Sequence, residues 1–176
     1  MSSAFFSKVT KWVFPRDALD VALAELRLDG DRSTEGIALW LGDRKSGVAN
    51  VSHMVYLRGS GLFKTEYHIR VSPNLINEVT DSAINLGKTL IGQIHSHPAG
   101  AGVDMSPSDE AGTPHVPYYL SVVVPDLALR DRIEIVDCGV HVFDPRRGFR
   151  RLSQKQVRSR ITFTAGETVQ RITLGF

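Results

Sequence analysis

In the segment "IGQIHSHPAGAGVDMSPSDEAG", residues 91–112, two histidines stand one residue apart, His95 and His97, and a Ser-Pro-Ser-Asp run follows at residues 106–109. On an extended strand, residues two apart point to the same side, so both imidazoles can aim at one point. Neutral imidazoles bind zinc well, and a catalytic zinc takes three protein ligands while keeping a fourth position open. A third ligand is therefore required. Asp109 is the strongest candidate, because "SPSD" also reads as a helix start: Ser106 at the N-cap, Pro107 at the first helical position and Asp109 in the first turn. Asp104 and Glu110 are its rivals. The intervening "PAGAGVDM" is glycine-rich and can fold back to return the chain to the histidines.

Two neutral histidines and one carboxylate leave zinc with a net positive charge, which lowers the pKa of a bound water towards ~7. Hydrolysis is then the natural reaction class. It also needs a base to take the water's proton and pass it to the leaving group. Nothing in residues 91–112 fills that role convincingly, which places the base elsewhere in the chain. His-x-His at a strand end and a Ser-Pro-Ser-Asp cap each occur without any metal. Their order and proximity argue for a site.

The positioning elements follow from periodicity. "PRDALDVALAELRLDG" carries Leu19, Ala22, Leu23 and Leu26 at helical spacing and stops at Gly30. "GIALWLG" and "GVANVSHMVYL" predict a hairpin through "DRKSG", and "TEYHIRV" a third strand. "SPNLINEVTDSAINLG" opens with Ser72 as N-cap and Pro73 at the first position, lines up Leu75, Ile76, Val79, Ala83 and Leu86, and closes at Gly87. "TLIGQIH" is then a strand ending at His95, "YYLSVVV" another, and "IEIV" and "VHVF" an antiparallel pair around "DCG". "RSRITFTAG" and "TVQRITL" predict one more hairpin. Alternating strands and helices indicate an α/β (α+β) domain around a mixed sheet.

A chain of 176 residues suits one compact domain. The single cysteine, Cys138, excludes an internal disulfide framework and any multi-cysteine zinc knuckle, so metal binding must rest on His, Asp and Glu. "MSSAFFSKVTKWVF" lacks a continuous apolar core and a small-residue cleavage site, and no stretch approaches the ~20 apolar residues of a membrane span. The expectation is a soluble, cytoplasmic protein. Residues 146–176 hold seven arginines and one lysine against a lone acid, Glu167. Without an aromatic stacking pattern beside them, these charges read as a solvated surface rather than a nucleic-acid site.

Taken together, these residues resemble the JAB/JAMM (MPN+) metalloprotease family, whose signature is an upstream Glu, then His-Ser-His-Pro, then Ser-x-x-Asp. Here "HSHP" is residues 95–98 and "SPSD" 106–109, while "EGIALWLG", residues 35–42, resembles the segment that carries the glutamate, with Ala38 where glycine is common. The resemblance implies a single JAB/MPN-like domain over residues 1–152, a mixed, curved sheet flanked by helices in a cytidine-deaminase-like architecture. Residues 153–176 would form a basic extension packed on it. It implies His95, His97 and Asp109 as Zn2+ ligands, Glu35 as general acid/base, and Ser106 as a hydroxyl supporting the oxyanion. Glu66 in "TEYHI" is the competing base. His53, His68, His115 and His141 have no partner at ligand spacing, which suggests surface or structural roles. One departure stands out: eight residues, Pro98 to Met105, separate His97 from Ser106, where the family usually has seven.

What the resemblance implies for function is hydrolysis of the peptide or isopeptide bond after the C-terminal glycine of a ubiquitin-like protein. Small size and the lack of accessory loops resemble stand-alone prokaryotic members. Such members are associated with activating-enzyme-like and conjugating-enzyme-like partners. Processing of a sulfur-carrier adduct and a non-catalytic binding scaffold are the alternatives, and the presence of all five motif positions argues against the scaffold. Amidohydrolase barrels also open with His-x-His, but 79 residues after His97 leave little room for one.

Overall fold

A computed structural model describes residues 7–175. The first six residues of the N-terminal stretch, on which the signal-peptide expectation was read, lie outside it. Strand β1 (Lys11–Pro15) leads into helix α1 (Ala18–Gly30), and strands β2 (Ile37–Lys45) and β3 (Val48–Leu57) form the expected hairpin. Short strands β4 (Leu62–Lys64) and β5 (Ile69–Val71) precede helix α2 (Pro73–Asn85). Strand β6 (Thr89–Ser96) is followed by the short helix α3 (Pro107–Gly112), then by β7 (Leu120–Val124), β8 (Gly139–Asp144) and β9 (Gly148–Arg151). Helix α4 (Gln154–Arg160) and strands β10 (Ile161–Thr164) and β11 (Gln170–Leu174) complete the described chain.

The protein is an α+β domain built on one curved mixed sheet with helices on both faces. The nine-stranded sheet runs β10-β1-β3-β2-β6-β7-β8-β9, with β11 also pairing β3. Strand β6 sits near its centre, antiparallel to β2 and parallel to β7. Along each strand the side chains alternate between two cores. One face buries Trp12, Phe14, Trp40, Met54, Ile94, Leu120 and Val140 under α1 and α4, with Phe14 and Trp40 edge to face at 4.9 Å. The other buries Leu39, Leu41, Val55 and Leu57 under Leu75, Val79 and Ala83 of α2. Helix α2 starts as its sequence dictates, with Ser72 Oγ accepting the Leu75 N–H. Gly42 lies at a register shift of the hairpin, where an added Cβ would stand 1.9 Å from the Asn50 carbonyl.

Three strand expectations are corrected. Of "TEYHIRV" only residues 69–71 are extended, and they pair with β4 in a separate two-stranded sheet. "IEIV" is a 3-10 turn at Ile135–Asp137, closed by the Asp137 carboxylate accepting the Glu134 N–H, so β8 pairs with β7 and β9 instead. The two C-terminal strands do not form a hairpin: β10 runs parallel to β1, and β11 parallel to β3. Strand β1 itself was not foreseen, and it provides the edge that β10 completes.

Candidate metal centre

Strand β6 delivers both histidines at its C-terminal end. His95 pairs with Ile37 of β2 on one side and Val123 of β7 on the other, and the His97 N–H continues the ladder to the Val124 carbonyl at 2.9 Å. Ser96, between them, faces away and clamps Gly36: its N–H donates to the Gly36 carbonyl at 3.0 Å and its Oγ accepts the Gly36 N–H at 2.9 Å. That clamp fixes the residue next to Glu35. Continuing the Ile37–His95 register by one pair on the same face puts Glu35 opposite His97. The Glu35 backbone is held further by its N–H to the Thr65 carbonyl at 2.8 Å.

The glycine-rich loop turns back as its composition implies, with Gly100 and Gly102 at positive φ. Its Gly102 carbonyl accepts the His97 Nδ1–H at 3.1 Å, which leaves Nε2 free to face inward. Helix α3 opens with a capping box: Ser106 Oγ accepts the Asp109 N–H at 3.1 Å, and Asp109 Oδ2 accepts the Ser106 N–H at 2.7 Å. The same carboxylate reaches the histidines, so the cap immobilises it against them.

His95 Nε2 and His97 Nε2 lie 3.2 Å apart, His97 Nε2 and Asp109 Oδ2 3.0 Å, and His95 Nε2 and Asp109 Oδ1 3.6 Å. Bonds of about 2.0–2.2 Å in a tetrahedral shell set ligand atoms about 3.3–3.6 Å apart. The donor set suits a divalent metal such as zinc in type, and one ligand atom from each residue lies within 4.8 Å of the others.

Electrostatics separate the two carboxylates. Burial alone would raise the Asp109 carboxyl, but the two imidazoles and the Ser106 N–H outweigh it and hold Asp109 ionised far below the usual carboxylate range. Glu35, only 3 % exposed, is pushed up to about 7 by burial, with His97 opposing and the Asp109 charge adding to the rise. Burial disfavours a charged His97, yet Asp109, Glu35 and the Gly102 carbonyl together raise its basicity. One carboxylate is thus fixed as an anion while the other exchanges a proton near neutrality.

The remaining candidates are not in the His95–His97–Asp109 cluster. Asp104 is exposed and pairs with Arg151 at 2.7 Å, Glu110 is exposed on α3, and Glu66 is exposed at the bend joining β4 to β5. His53 bonds Ser52 Oγ, His115 stacks on Phe143, and His68 bridges to Ser108 Oγ at 3.0 Å. His141, by contrast, is buried at 4 % exposure.

Beside the His95–His97–Asp109 cluster lies a groove of about 290 Å³, lined by Ile37, Leu39, Ile76, Gln93, His95 and Asp109, with residues 68–71 as one wall. Residues of both parities line it, so β5 presents its backbone edge rather than one side-chain face. Gln93 on its floor is held by Thr113 Oγ1 at 3.1 Å and Tyr119 Oη at 3.2 Å. The groove carries no local sequence signal, because it exists only through long-range pairing.

A scan against protein-family models finds no match. A Sinorhizobium fredii protein named "Probable metalloprotease y4jG" is 27% identical over 159 residues, covering 86% of this chain and 93% of that protein. The solution structure of protein DSY2949 from Desulfitobacterium hafniense superposes with a TM-score of 0.62 at 18% identity, covering 90% of this chain and 94% of that one. The latter likeness is one of fold.

Proposed function

We propose that this chain is a zinc metalloprotease of the JAB/JAMM type that hydrolyses the amide bond after the C-terminal glycine of a ubiquitin-like protein, in deconjugation or precursor maturation. The observation that carries the reading is the His95–His97–Asp109 cluster at ligand spacing, with a proton-exchanging Glu35 beside it. The relative named a probable metalloprotease supports the hydrolase part. Zinc, when bound, supplies a Lewis acid that polarises a scissile carbonyl and acidifies water.

The chain's own groups do the rest. Glu35 takes the proton of the attacking water and returns it to the leaving amine, a role suited to a carboxylate near 7. Ser106 Oγ is occupied as an acceptor from Asp109 N–H, so its own O–H remains to donate to the developing oxyanion. The substrate tail lies in the groove and pairs with the edge of β5, whose strand partner among the described residues is β4 alone. Glycines at the cleavage point suit the groove beside His95 and Asp109 because they carry no side chain. Activating-enzyme-like and conjugating-enzyme-like proteins are the partners such a substrate would bring.

The test is to incubate the zinc-loaded protein with a fusion whose ubiquitin-like part ends in Gly-Gly, and to read the products by intact mass. Cleavage after the last glycine, lost in Glu35→Gln, is expected. Cleavage of unrelated peptides alone would remove the substrate assignment. One zinc per chain with no amide cleaved would remove the protease and leave a scaffold.

A further inference from the structure

His97 and His95 differ in how their outer nitrogens are held. His97 Nδ1 has the Gly102 carbonyl, whereas His95 Nδ1 is buried without a partner among the described residues. Two more buried atoms lack partners on the same sheet face, Ser121 Oγ and His141 Nδ1. The strand register brings the three together. Gln93 pairs with Ser121, two residues before His95 on β6, and Ser121 pairs directly with His141 across β7 and β8. Ser121 is within side-chain reach of His141 directly opposite and of His95 on the diagonal, and so stands between the two rings. The Ser121 carbonyl lies close enough to the His141 ring to raise its basicity, while Nδ1 keeps no partner at hydrogen-bond geometry. The indoles of Trp12 and Trp40 also lack partners, but they belong to the opposite, apolar face.

An unpartnered buried polar atom costs free energy, and three on one sheet face, linked through Ser121, call for a small polar ligand. We propose that a buried water behind the metal cluster joins His95, Ser121 and His141 and fixes the His95 tautomer; this rests on the metal reading above. The His95 Nδ1–H donates to the water oxygen, and the water's two hydrogens go to Ser121 Oγ and His141 Nδ1. Three bonds match what buried waters ordinarily make. His141 then carries its proton on Nε2, which faces Asp104 Oδ1 at 3.9 Å, and Arg151 holds that same oxygen at 2.7 Å. Asp104 belongs to the lengthened loop between His97 and Ser106. The loop packs so closely on β8 that a Cβ on Gly139 would stand 1.7 Å from the Val103 carbonyl. Ser121 and His141 are thus positioning residues that act on the metal through His95.

The experiment measures zinc affinity by competition with a chromophoric chelator for the parent, Ser121→Ala, His141→Phe and the double variant. Each single change is expected to weaken zinc about 10- to 100-fold. The double variant should weaken it by much less than the product, because one water serves both side chains. Melting of the metal-free forms separates this from misfolding, and Ser121→Ala is small enough to stand alone should His141→Phe not fold. The ¹⁵N imidazole spectrum of the metal-free parent should place the His95 proton on Nδ1. A folded Ser121→Ala that binds zinc as the parent does would overturn the water network and leave the metal centre intact. A parent that binds no zinc would overturn both.

Discussion

The two faces of the central sheet are built from different chemistry. Under α1 and α4, the inward residues of β1, β2, β3, β6, β7 and β8 are apolar, from Trp12 through Trp40 and Ile94 to Val122 and Val140. On the other face, apolar residues cover β2 and β3 beneath α2, and then give way on β6, β7 and β8 to Gln93, His95, Ser121 and His141, all at 5 % exposure or less. Buried polar groups cost stability unless each finds a partner. The division lets one continuous core supply the fold's stability, so the second face can hold groups selected for chemistry.

That division predicts opposite responses to mutation. The largest effect belongs to Glu35→Gln, which keeps size and loses the proton acceptor: amide hydrolysis should fall by about 10²–10⁴-fold, with zinc stoichiometry unchanged. Retained hydrolysis would move the base elsewhere and dissolve the catalytic meaning of the polar face. Trp40→Ala strikes the other face and should destabilise by about 3–5 kcal/mol. Molecules that remain folded should keep their zinc, as denaturant titration with metal analysis would show. Loss of zinc from folded Trp40→Ala would mean that the faces are not independent.

Ser106 tests the boundary between the two kinds of role. Its Oγ caps α3 by accepting the Asp109 N–H at 3.1 Å. Ser106→Ala should therefore cost about 1 kcal/mol of stability as well as about 10²-fold in kcat. Ser106→Thr keeps the hydroxyl and should recover the stability. Equal loss of stability in both variants would show that the cap is not what holds Asp109.

The same asymmetry explains what was legible in the sequence. His95, His97, Ser106 and Asp109 sit on local devices, a strand alternation and a capping box, and those have fixed offsets along the chain. Glu35 is legible mainly through a resemblance, since its place opposite His97 depends on the β2–β6 register. "IEIV" has strand composition, yet Glu134 and Asp137 close a turn on each other's backbone, and that local bonding outweighs β-propensity. The parallel pairing of β10 and β11 could not be read from "RSRITFTAG" and "TVQRITL", because alternation predicts a strand and not its partner. His141 looked isolated for the same reason: Ser121 is its neighbour across a ladder, twenty residues away.

The smallest effect is the most direct measure of how dry the polar face is. In the metal-free protein, Glu35 has its pKa raised from 4.5 to about 7. Between those values the folded state binds more protons than the unfolded one, so stability falls as pH rises through this window and stays lowered above it. Glu35→Gln removes the titration. Its stability relative to the parent should be near zero at pH 4 and favourable by on the order of 2 kcal/mol at pH 8, read from denaturant midpoints in the presence of chelator. A difference that does not change with pH would mean that water reaches the Glu35 carboxylate freely. Zinc should shrink the difference, because a cation between His95, His97 and Asp109 favours the Glu35 anion that burial disfavours.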